Sequence, residues 1–121
     1  MRNKKKKIWI IDDDLAILQC MAITLEDEGY QVLTFENATV FEKAIERNLP
    51  DIILMDYYLP DQNGDQLILN LEKKKKTKKI PVILISAHHE ARNLAKKNGV
   101  VNFLAKPFDT DTLLNIVKKN I

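Results

Sequence analysis

The sequence has few of the residues that disulfide-bonded, loop-rich or membrane-spanning proteins need. Its 121 residues include one cysteine, three glycines and four prolines. A single cysteine, Cys20, excludes an internal disulfide and a thiolate metal cluster, and we expect it to be a small buried apolar side chain. No apolar run approaches the ~20 residues of a membrane span. The run after the basic N-terminus, Ile8–Ile11, is too short for a signal peptide. We therefore expect one compact cytoplasmic domain over residues 1–121, with a basic segment at 1–7.

Basic charge is concentrated in two parts of the chain. The net charge is +2, from 19 basic and 17 acidic residues. Eleven of the basic residues lie at Arg2, in Lys4–Lys7 and in Lys73–Lys79, which leaves an acidic body. Lysine runs can bind nucleic acid or anionic membranes, but no aromatic residue or groove-reading motif accompanies these runs. We interpret them as solvated loop and terminus charge, and expect no direct binding to nucleic acid or membrane.

Short apolar runs alternate with segments of helical periodicity along the whole chain. The predicted strands are residues 8–11, 30–35, 51–55, 80–85 and 100–104. The predicted helices are residues 14–28, 37–47, 64–74, 89–97 and 110–119. Nearly continuous apolar runs are typical of parallel strands that are buried on both faces. Five βα repeats with crossover helices predict an α/β fold, a doubly wound five-stranded parallel sheet with five helices.

The helix ends and the inward faces follow from local signals. Asp14 and Asn37 are suited to cap the first two helices, and either Asp109 or Thr110 the last. On the first helix, the spacing predicts that Leu15, Leu18, Ala22 and Leu25 face the core. On the second, it predicts the same of Val40, Phe41, Ala44 and Ile45.

Polar residues follow four of the five predicted strands. They are Asp12–Asp14 after the first strand, Asp56 after the third, Ser86 after the fourth and Lys106 after the fifth. In an open α/β sheet, ligands bind outside the carboxyl ends of the strands. We therefore expect these side chains to meet at one edge of the sheet, with Asp14 serving better as a helix cap than as a ligand.

A cluster of carboxylates needs a compensating charge. Two carboxylates at ~4 Å repel by roughly 1–4 kcal/mol, depending on the local dielectric. Mg²⁺ suits one or two carboxylates, a carbonyl, waters and a phosphate oxygen. Asp56 is isolated at the end of the central strand, which makes it the best candidate for a nucleophile that forms an aspartyl-phosphate. Lys106 would neutralise the phosphate and Ser86 would hydrogen-bond to it.

Four motifs in order resemble the receiver domains of bacterial two-component response regulators. They are IWIIDDDLAIL (Ile8–Leu18), DIILMDYYLPDQNG (Asp51–Gly64), VILISAH (Val82–His88) and FLAKPFD (Phe103–Asp109). Each motif alone is moderately specific, whereas all four at these separations are highly specific. The resemblance covers essentially the whole chain and implies a flavodoxin-like sheet of strand order 2-1-3-4-5.

The resemblance implies a magnesium site and a phosphoacceptor. Asp56 would be the phosphoacceptor and would also bind Mg²⁺. Asp13 would bind the ion directly, Asp12 would help through water, and the backbone carbonyl of Tyr58 would complete the protein ligands.

The resemblance also implies phosphate ligands and a switch. Ser86 and the Ala87 amide would bond the phosphoryl oxygens, Lys106 would pair with the phosphate, and the Lys106–Pro107 bond would be cis. Phe103 would be an aromatic switch that turns inward when Ser86 moves. The domain would not be an enzyme beyond catalysing its own phosphorylation and slow dephosphorylation.

The implied partners are those of the family. A sensor histidine kinase or a histidine phosphotransfer protein would donate the phosphoryl group, and a downstream protein or effector domain would receive the signal. A homodimer could form on phosphorylation. The segment from Ser86 to Lys106 is slightly shorter than in most receivers. Tyr58 and His88 would flank the phosphate, and we hypothesise that their bulk slows its loss.

Three other functions fit parts of the pattern. A haloacid-dehalogenase-like phosphatase would use Asp12 and Asp14 in a D-x-D-x-T/V motif, but Ala16 stands where threonine or valine belongs. A flavodoxin-like cofactor binder would need a phosphate-cradling loop after the first strand, where three acids would repel a phosphate. A degenerate receiver that only binds proteins would not be expected to keep the full set of acidic residues, Ser86 and Lys106.

Overall fold

The chain folds as a parallel sheet with helices on both faces. The structure is a computed structural model that describes residues 4–97 and 102–121. The strands are β1 (Lys7–Ile11), β2 (Gln31–Phe35), β3 (Ile52–Asp56), β4 (Val82–Ser86) and β5 (Asn102–Ala105). All pair in parallel, in the order β2-β1-β3-β4-β5. The predicted fold class and strand order are confirmed.

A helix follows each strand. The helices are α1 (Leu15–Asp27), α2 (Ala38–Ile45), α3 (Gly64–Glu72), α4 (His89–Lys97) and α5 (Thr110–Asn120). None of the helices in the part of the chain that the structure describes combines the length and apolar character that crossing a bilayer requires.

Alternate side chains of the central strands point to opposite faces of the sheet, so the apolar core has two parts. Ile8 and Ile10 of β1 pack with apolar residues of α1 and α5 on one face. Trp9 and Ile11 pack on the other face with apolar residues of α2, α3 and α4. Strands β1, β3 and β4 are buried on both faces, whereas β2 is largely exposed at the edge of the sheet. This burial explains why the central strands have continuous apolar sequences.

Side-chain caps fix where three of the helices begin. Asp14 accepts hydrogen bonds from the amides of Ala16 and Ile17, at 3.0 and 3.2 Å. Asn37 accepts one from the amide of Val40 at 3.0 Å. Asp109, not Thr110, caps α5. Each such cap stabilises the protein by about 1 kcal/mol. The caps also fix the residue at which the loop after each of these strands ends and the helix begins.

Three predictions of burial are wrong. Leu15 and Val40 lie in the first turns of their helices and are about half exposed, because both line a surface pocket between α1 and the start of α2. Cys20 is also exposed. Two residues turn an α-helix by about 200°, so Cys20 faces away from the side of α1 on which Leu18 is buried.

Several predicted element ends shift by one or two residues. Tyr30 lies outside β2 because its amide bonds to the carbonyl of Leu25 at the end of α1. Ile80 lies outside β4, since its amide bonds to the carbonyl of Thr77 at 3.1 Å and continues the preceding turn. Helix α3 ends at Glu72. Positions 100 and 101 of the predicted fifth strand lie outside the described residues.

Candidate functional site

The polar residues that follow the strands meet at the carboxyl edge of the sheet. Strands β1 and β3 are neighbours, so Asp12 and Asp56 lie side by side after paired residues Ile11 and Met55. Ser86 ends the adjacent β4. Lys106 follows β5, and its amide donates to the Ser86 carbonyl at 2.9 Å. The predicted convergence of residues from four strands on one edge is therefore found.

Three carboxylates form a group that could hold a metal ion. Asp12, Asp13 and Asp56 each offer an oxygen atom within 4.8 Å of the other two. Asp12 and Asp56 are buried, whereas Asp13 is exposed. Asp12 also accepts a hydrogen bond from the amide of Asp14 at 2.9 Å, which orients one of its oxygens. A hard cation that prefers oxygen ligands suits this donor set.

Lys106 supplies the positive charge inside the site. Its Nζ lies 2.8 Å from Oδ2 of Asp12 and 3.6 Å from Oδ2 of Asp56. Burial disfavours the charged lysine, but the hydrogen bond to Asp12 and the negative charges of Asp12 and Asp56 outweigh burial and raise the pKa of Lys106. The Lys106–Pro107 peptide bond is cis, as the family resemblance implied.

The surroundings of Asp56 disfavour the ionised form of its carboxyl group. Burial is the largest cause that raises its pKa, from the ordinary 3.8 to about 6, and the charges of Asp12 and Asp13 act in the same direction. Lys106 and a hydrogen bond from the Tyr58 amide act in the opposite direction. Because the net shift is upward, this carboxylate gains from any further positive charge placed beside it.

Ser86 is buried next to Asp56, and its hydroxyl is directed by the local backbone. Its Oγ accepts a hydrogen bond from the amide of His88 at 3.1 Å. Ala87, the residue between them, is exposed at the site. Phe103 lies on β5 opposite Leu84 and is half-buried. The guanidinium carbon of Arg92 lies 5.1 Å from the centre of the Phe103 ring, a contact that the sequence did not indicate.

Two bulky rings border the site from different loops. The rings of Tyr58 and His88 meet edge to face, with centroids 4.7 Å apart. The Tyr58 hydroxyl donates to Oε1 of Glu90 on α4 at 3.3 Å. Tyr58 therefore connects the loop after β3 with the loop after β4, and both loops carry residues of the candidate site.

The sequence reasoning missed how the loop after β3 is attached to α2. Asp61 accepts hydrogen bonds from the amides of Ala38 and Thr39, at 3.0 and 2.8 Å, and from the Thr39 hydroxyl at 2.7 Å. Burial would raise the pKa of Asp61, but these bonds outweigh it and lower that pKa. Asp61 lies 22 residues from Thr39 in the chain, so its turn-like sequence context gave no signal of the contact.

The arrangement also bears on two alternatives. Asp14, which the phosphatase motif would pair with Asp12, has an oxygen bonded to two amides of α1 and is not a member of the three-carboxylate group. The loop that a phosphate-bearing cofactor would require after β1 contains Asp12 and Asp13, which belong to that group. Neither alternative is favoured by this geometry.

Comparison with known proteins identifies the same family along nearly the whole chain. The model of the response regulator receiver domain matches residues 8–118. The transcriptional regulatory protein KdpE of Staphylococcus aureus is 38% identical over 111 residues, which cover 90% of this chain and 47% of that protein. The chain spans between 25% and 50% of the length of the first curated relatives that it matches.

Solved structures share the fold. The chemotaxis response regulator CheY4 of Vibrio cholerae superposes with a TM-score of 0.91 at 24% identity, covering 98% of this chain and all of that one. The receiver domain of the sensor histidine kinase PA1611 from Pseudomonas aeruginosa, with a magnesium ion in its active-site cleft, has a TM-score of 0.88 at 24% identity and covers 97% and 98% of the two chains.

Proposed function

Since this chain belongs to the response regulator receiver domain family of two-component signalling, we propose that Asp56 is its phosphoacceptor. The observation that carries the proposal is the position of the Asp56 carboxylate. It lies at the end of the central strand, beside the Lys106 ammonium and within reach of two further carboxylates. This set of residues suits a transfer in which negative charge is brought to a carboxylate.

The phosphoryl donor is a phosphohistidine of a sensor histidine kinase or a histidine phosphotransfer protein. An Asp56 carboxylate oxygen forms a bond to phosphorus while the phosphorus–nitrogen bond of the phosphohistidine breaks. The histidine nitrogen leaves with the bonding electron pair. Asp56 must be ionised to attack, and a pKa of about 6 leaves most of it ionised above pH 7.

The acidic group fits Mg²⁺. Asp13 and Asp56 would bind the ion directly, Asp12 through water, and Tyr58 through its backbone carbonyl. When bound, Mg²⁺ neutralises charge on the carboxylates and on the transferring phosphoryl group. The all-oxygen donor set supports this assignment, as does the magnesium ion recorded for the receiver from Pseudomonas aeruginosa.

Lys106, Ser86 and Ala87 hold the phosphoryl group after transfer. Lys106 lies between Asp12 and Asp56, so its ammonium can pair with phosphate oxygens after a small movement from Asp12. The Ser86 hydroxyl and the Ala87 amide donate hydrogen bonds to the remaining oxygens. To donate in this way, Ser86 turns its hydroxyl toward Asp56, and this movement changes the bond that its oxygen accepts from the His88 amide.

The movement of Ser86 toward the phosphoryl group starts the conformational switch of the domain. Phe103 lies on the strand next to Ser86 and is only half-buried, so it can move inward when the loop after β4 moves. Taking an active packing from ~1% to ~99% of the population needs about 5.5 kcal/mol of differential binding. A few charge-assisted hydrogen bonds of roughly 1.5–3 kcal/mol each are enough.

The switch acts on a downstream protein or effector domain, and the domain catalyses only its own phosphorylation and slow dephosphorylation. Homodimerisation on phosphorylation and a cytoplasmic location remain predictions. The expectation that this chain does not bind nucleic acid directly is untested and stays a prediction. One relative is a DNA-binding transcriptional regulator, NtrC of Proteus hauseri, and this chain covers 25% of its length.

The experiment is intact-protein mass spectrometry after incubation with acetyl phosphate, with Mg²⁺, with a chelator, and on Asp56→Asn. We expect a gain of one phosphoryl group that requires both Mg²⁺ and Asp56. A gain that survives Asp56→Asn would move the nucleophile to another residue, with Asp12 tested next. No gain in any arm would indicate a degenerate receiver that only binds partners.

A further inference from the structure

The fold brings together two lysine clusters that are remote in sequence. Lys4–Lys6 precede β1, and Lys73–Lys79 precede β4. Only β3 lies between these two strands. Neighbouring strands are ~4.8 Å apart, so the two clusters enter the sheet about 10 Å from each other. We call this surface, formed by Lys4–Lys6, Lys73–Lys76, Lys78 and Lys79, the basic edge.

The hydrogen bonds at the starts of these strands fix the arrangement. The amide of Asp51 donates to the carbonyl of Lys7 at 2.8 Å, and the amide of Lys7 donates to Oδ2 of Asp51 at 2.7 Å. On the other side of β3, the amide of Ile53 donates to the carbonyl of Pro81 at 3.0 Å. The basic edge is therefore the amino-terminal edge of the sheet, opposite the edge that carries Asp56.

The lysines of the basic edge are exposed and unpaired. All nine have exposed side chains. Among the side chains that the structure describes, both ion pairs are made by Lys106 and none by these lysines. Thr77 is the one member of the Lys73–Lys79 segment that is buried, and its hydroxyl bonds to the carbonyl of Leu71. This buried contact fixes the turn so that the lysines on both sides of it point into solvent.

A favourable interaction with the dipole of α3 explains only some of the lysines of the basic edge. Lys73–Lys76 follow the end of α3, where cations are favoured by the helix dipole. That effect fades beyond the last turn, so it does not reach Lys78 or Lys79, nor the separate segment Lys4–Lys6. Lys118 and Lys119 in the last turn of α5 add to the same side of the sheet. The acidic Glu26–Glu28 at the end of α1 and Asp51 just before β3 also lie at this edge, where they offset only part of the lysine charge.

The charge of the domain is thus separated along the strands. A strand of five residues is about 17 Å long, roughly twice the ~8 Å Debye length at physiological ionic strength. The carboxylates around Asp56 therefore do little to cancel the attraction between the basic edge and an anionic surface. A net charge of only +2 hides a strongly basic face.

We propose that the basic edge docks the domain on the anionic phospholipid headgroups of a membrane surface. Lysine is a flexible, strongly hydrated point charge that suits diffuse attraction to headgroups, whereas arginine is favoured for bidentate recognition of phosphates in nucleic acid. The described residues of the basic edge lie in turns and at strand starts, and they form no helix or β-ribbon that could enter a DNA groove. Leu49, in the α2–β3 connection at the same edge, is 39% exposed and can insert among the headgroups.

This docking replaces the expectation that the lysines are only solvated charge. It holds the domain by its amino-terminal edge and directs the Asp56 edge away from the bilayer, where a protein partner can reach it. Each lysine near an anionic bilayer strengthens binding roughly fivefold, so the edge supplies a reversible attachment that weakens steeply as salt is added.

The test is cosedimentation of the full chain with vesicles made of equal parts phosphatidylglycerol and phosphatidylcholine. One variant carries Lys75→Gln, Lys76→Gln, Lys78→Gln and Lys79→Gln, and a matched variant carries arginine at the same four positions. Thermal melting checks that both remain folded, which we expect because the positions are exposed. Vesicles of phosphatidylcholine alone and a DNA duplex at equal phosphate concentration complete the comparison.

We expect binding to the anionic vesicles that falls at least about tenfold in the glutamine variant. The arginine variant should bind like the unaltered chain, and neither should bind neutral vesicles. Equal binding by the glutamine variant, or no binding to anionic vesicles at low salt, would overturn the proposal. Tighter binding to the duplex than to the vesicles would overturn it in favour of a nucleic-acid partner.

Discussion

The ammonium of Lys106 lies 2.8 Å from Oδ2 of Asp12 and 3.6 Å from Oδ2 of Asp56. The lysine that is proposed to neutralise the phosphate is thus held first by a neighbouring carboxylate and only then by the nucleophile. This contact keeps the positive charge inside the site without a direct short bond to Asp56, whose oxygen must remain available for attack.

Removing Lys106 should destabilise the metal-free protein. Asp12 is 1% exposed and accepts the lysine hydrogen bond, so Lys106→Met leaves a buried carboxylate without its counterion. We expect a loss of about 2–4 kcal/mol in the free energy of unfolding in chelator, measured by urea denaturation. The double variant with Asp12→Asn should recover part of the loss. Equal losses in the single and double variants would show that the pair is not coupled.

Asp56→Asn should stabilise the metal-free protein in a pH-dependent way. Burial is the main cause that raises the pKa of Asp56, from 3.8 to about 6. Relative to the unfolded chain, the folded state then loses stability as pH rises from about 4 through 6, on the order of 2–3 kcal/mol in total. The asparagine variant lacks this loss, so its advantage should be largest above pH 7 and vanish near pH 4.

Thermal melts of Asp56→Asn and the unaltered chain across this range, in chelator, measure the effect. Asp51→Asn is a suitable control, because Asp51 is an exposed aspartate at the opposite edge of the sheet. A stability difference that is constant with pH for Asp56→Asn would contradict the account. Added Mg²⁺ should stabilise the unaltered chain more than the variant.

Asp61→Ala should loosen the start of α2 and the loop after β3. The substitution removes three hydrogen bonds to Ala38 and Thr39, and we expect a loss of about 1–2 kcal/mol. Amide hydrogen exchange at positions 38 and 39 should accelerate. Thr39→Val, which removes only the hydroxyl contact, should have a smaller effect on both measurements. Unchanged exchange at both amides would rule out this role for Asp61.

Small residues at positions 58 and 88 should shorten the life of the phosphorylated state. The rings of Tyr58 and His88 touch beside the site, and we expect them to hinder the approach of water to the phosphoryl group. The double variant Tyr58→Ala and His88→Ala should lose phosphate faster than the unaltered chain when dephosphorylation is followed by mass spectrometry. Glu90→Gln, which changes only the partner of the Tyr58 hydroxyl, serves as the control. An unchanged lifetime in the double variant would end the hypothesis.

The sequence predicted those features that depend on strand position. Asp12, Asp56, Ser86 and Lys106 each follow an apolar run, and parallel strands bring such residues to one edge. Helix caps such as Asp14 were also predictable, because a cap bonds to amides only two or three residues away.

Contacts between distant side chains were not predictable in this way. The bonds from Asp61 to α2, the stacking of Arg92 on Phe103 and the exposure of Cys20 depend on how far each helix extends and how it is rotated on the sheet. The proximity of the two lysine clusters, by contrast, follows from the strand order that the family resemblance implied, which places β1 and β4 on either side of β3.

The central claim is that Asp56 itself carries the phosphoryl group. An acyl phosphate is reduced by borohydride, which converts a phosphorylated aspartate to homoserine and leaves a free carboxylate unchanged. The chain would be phosphorylated with acetyl phosphate and Mg²⁺, reduced, digested and sequenced by tandem mass spectrometry. We predict homoserine at position 56 only, and none in a sample prepared with chelator. Homoserine at position 12 or 13 with aspartate retained at 56 would contradict the assignment.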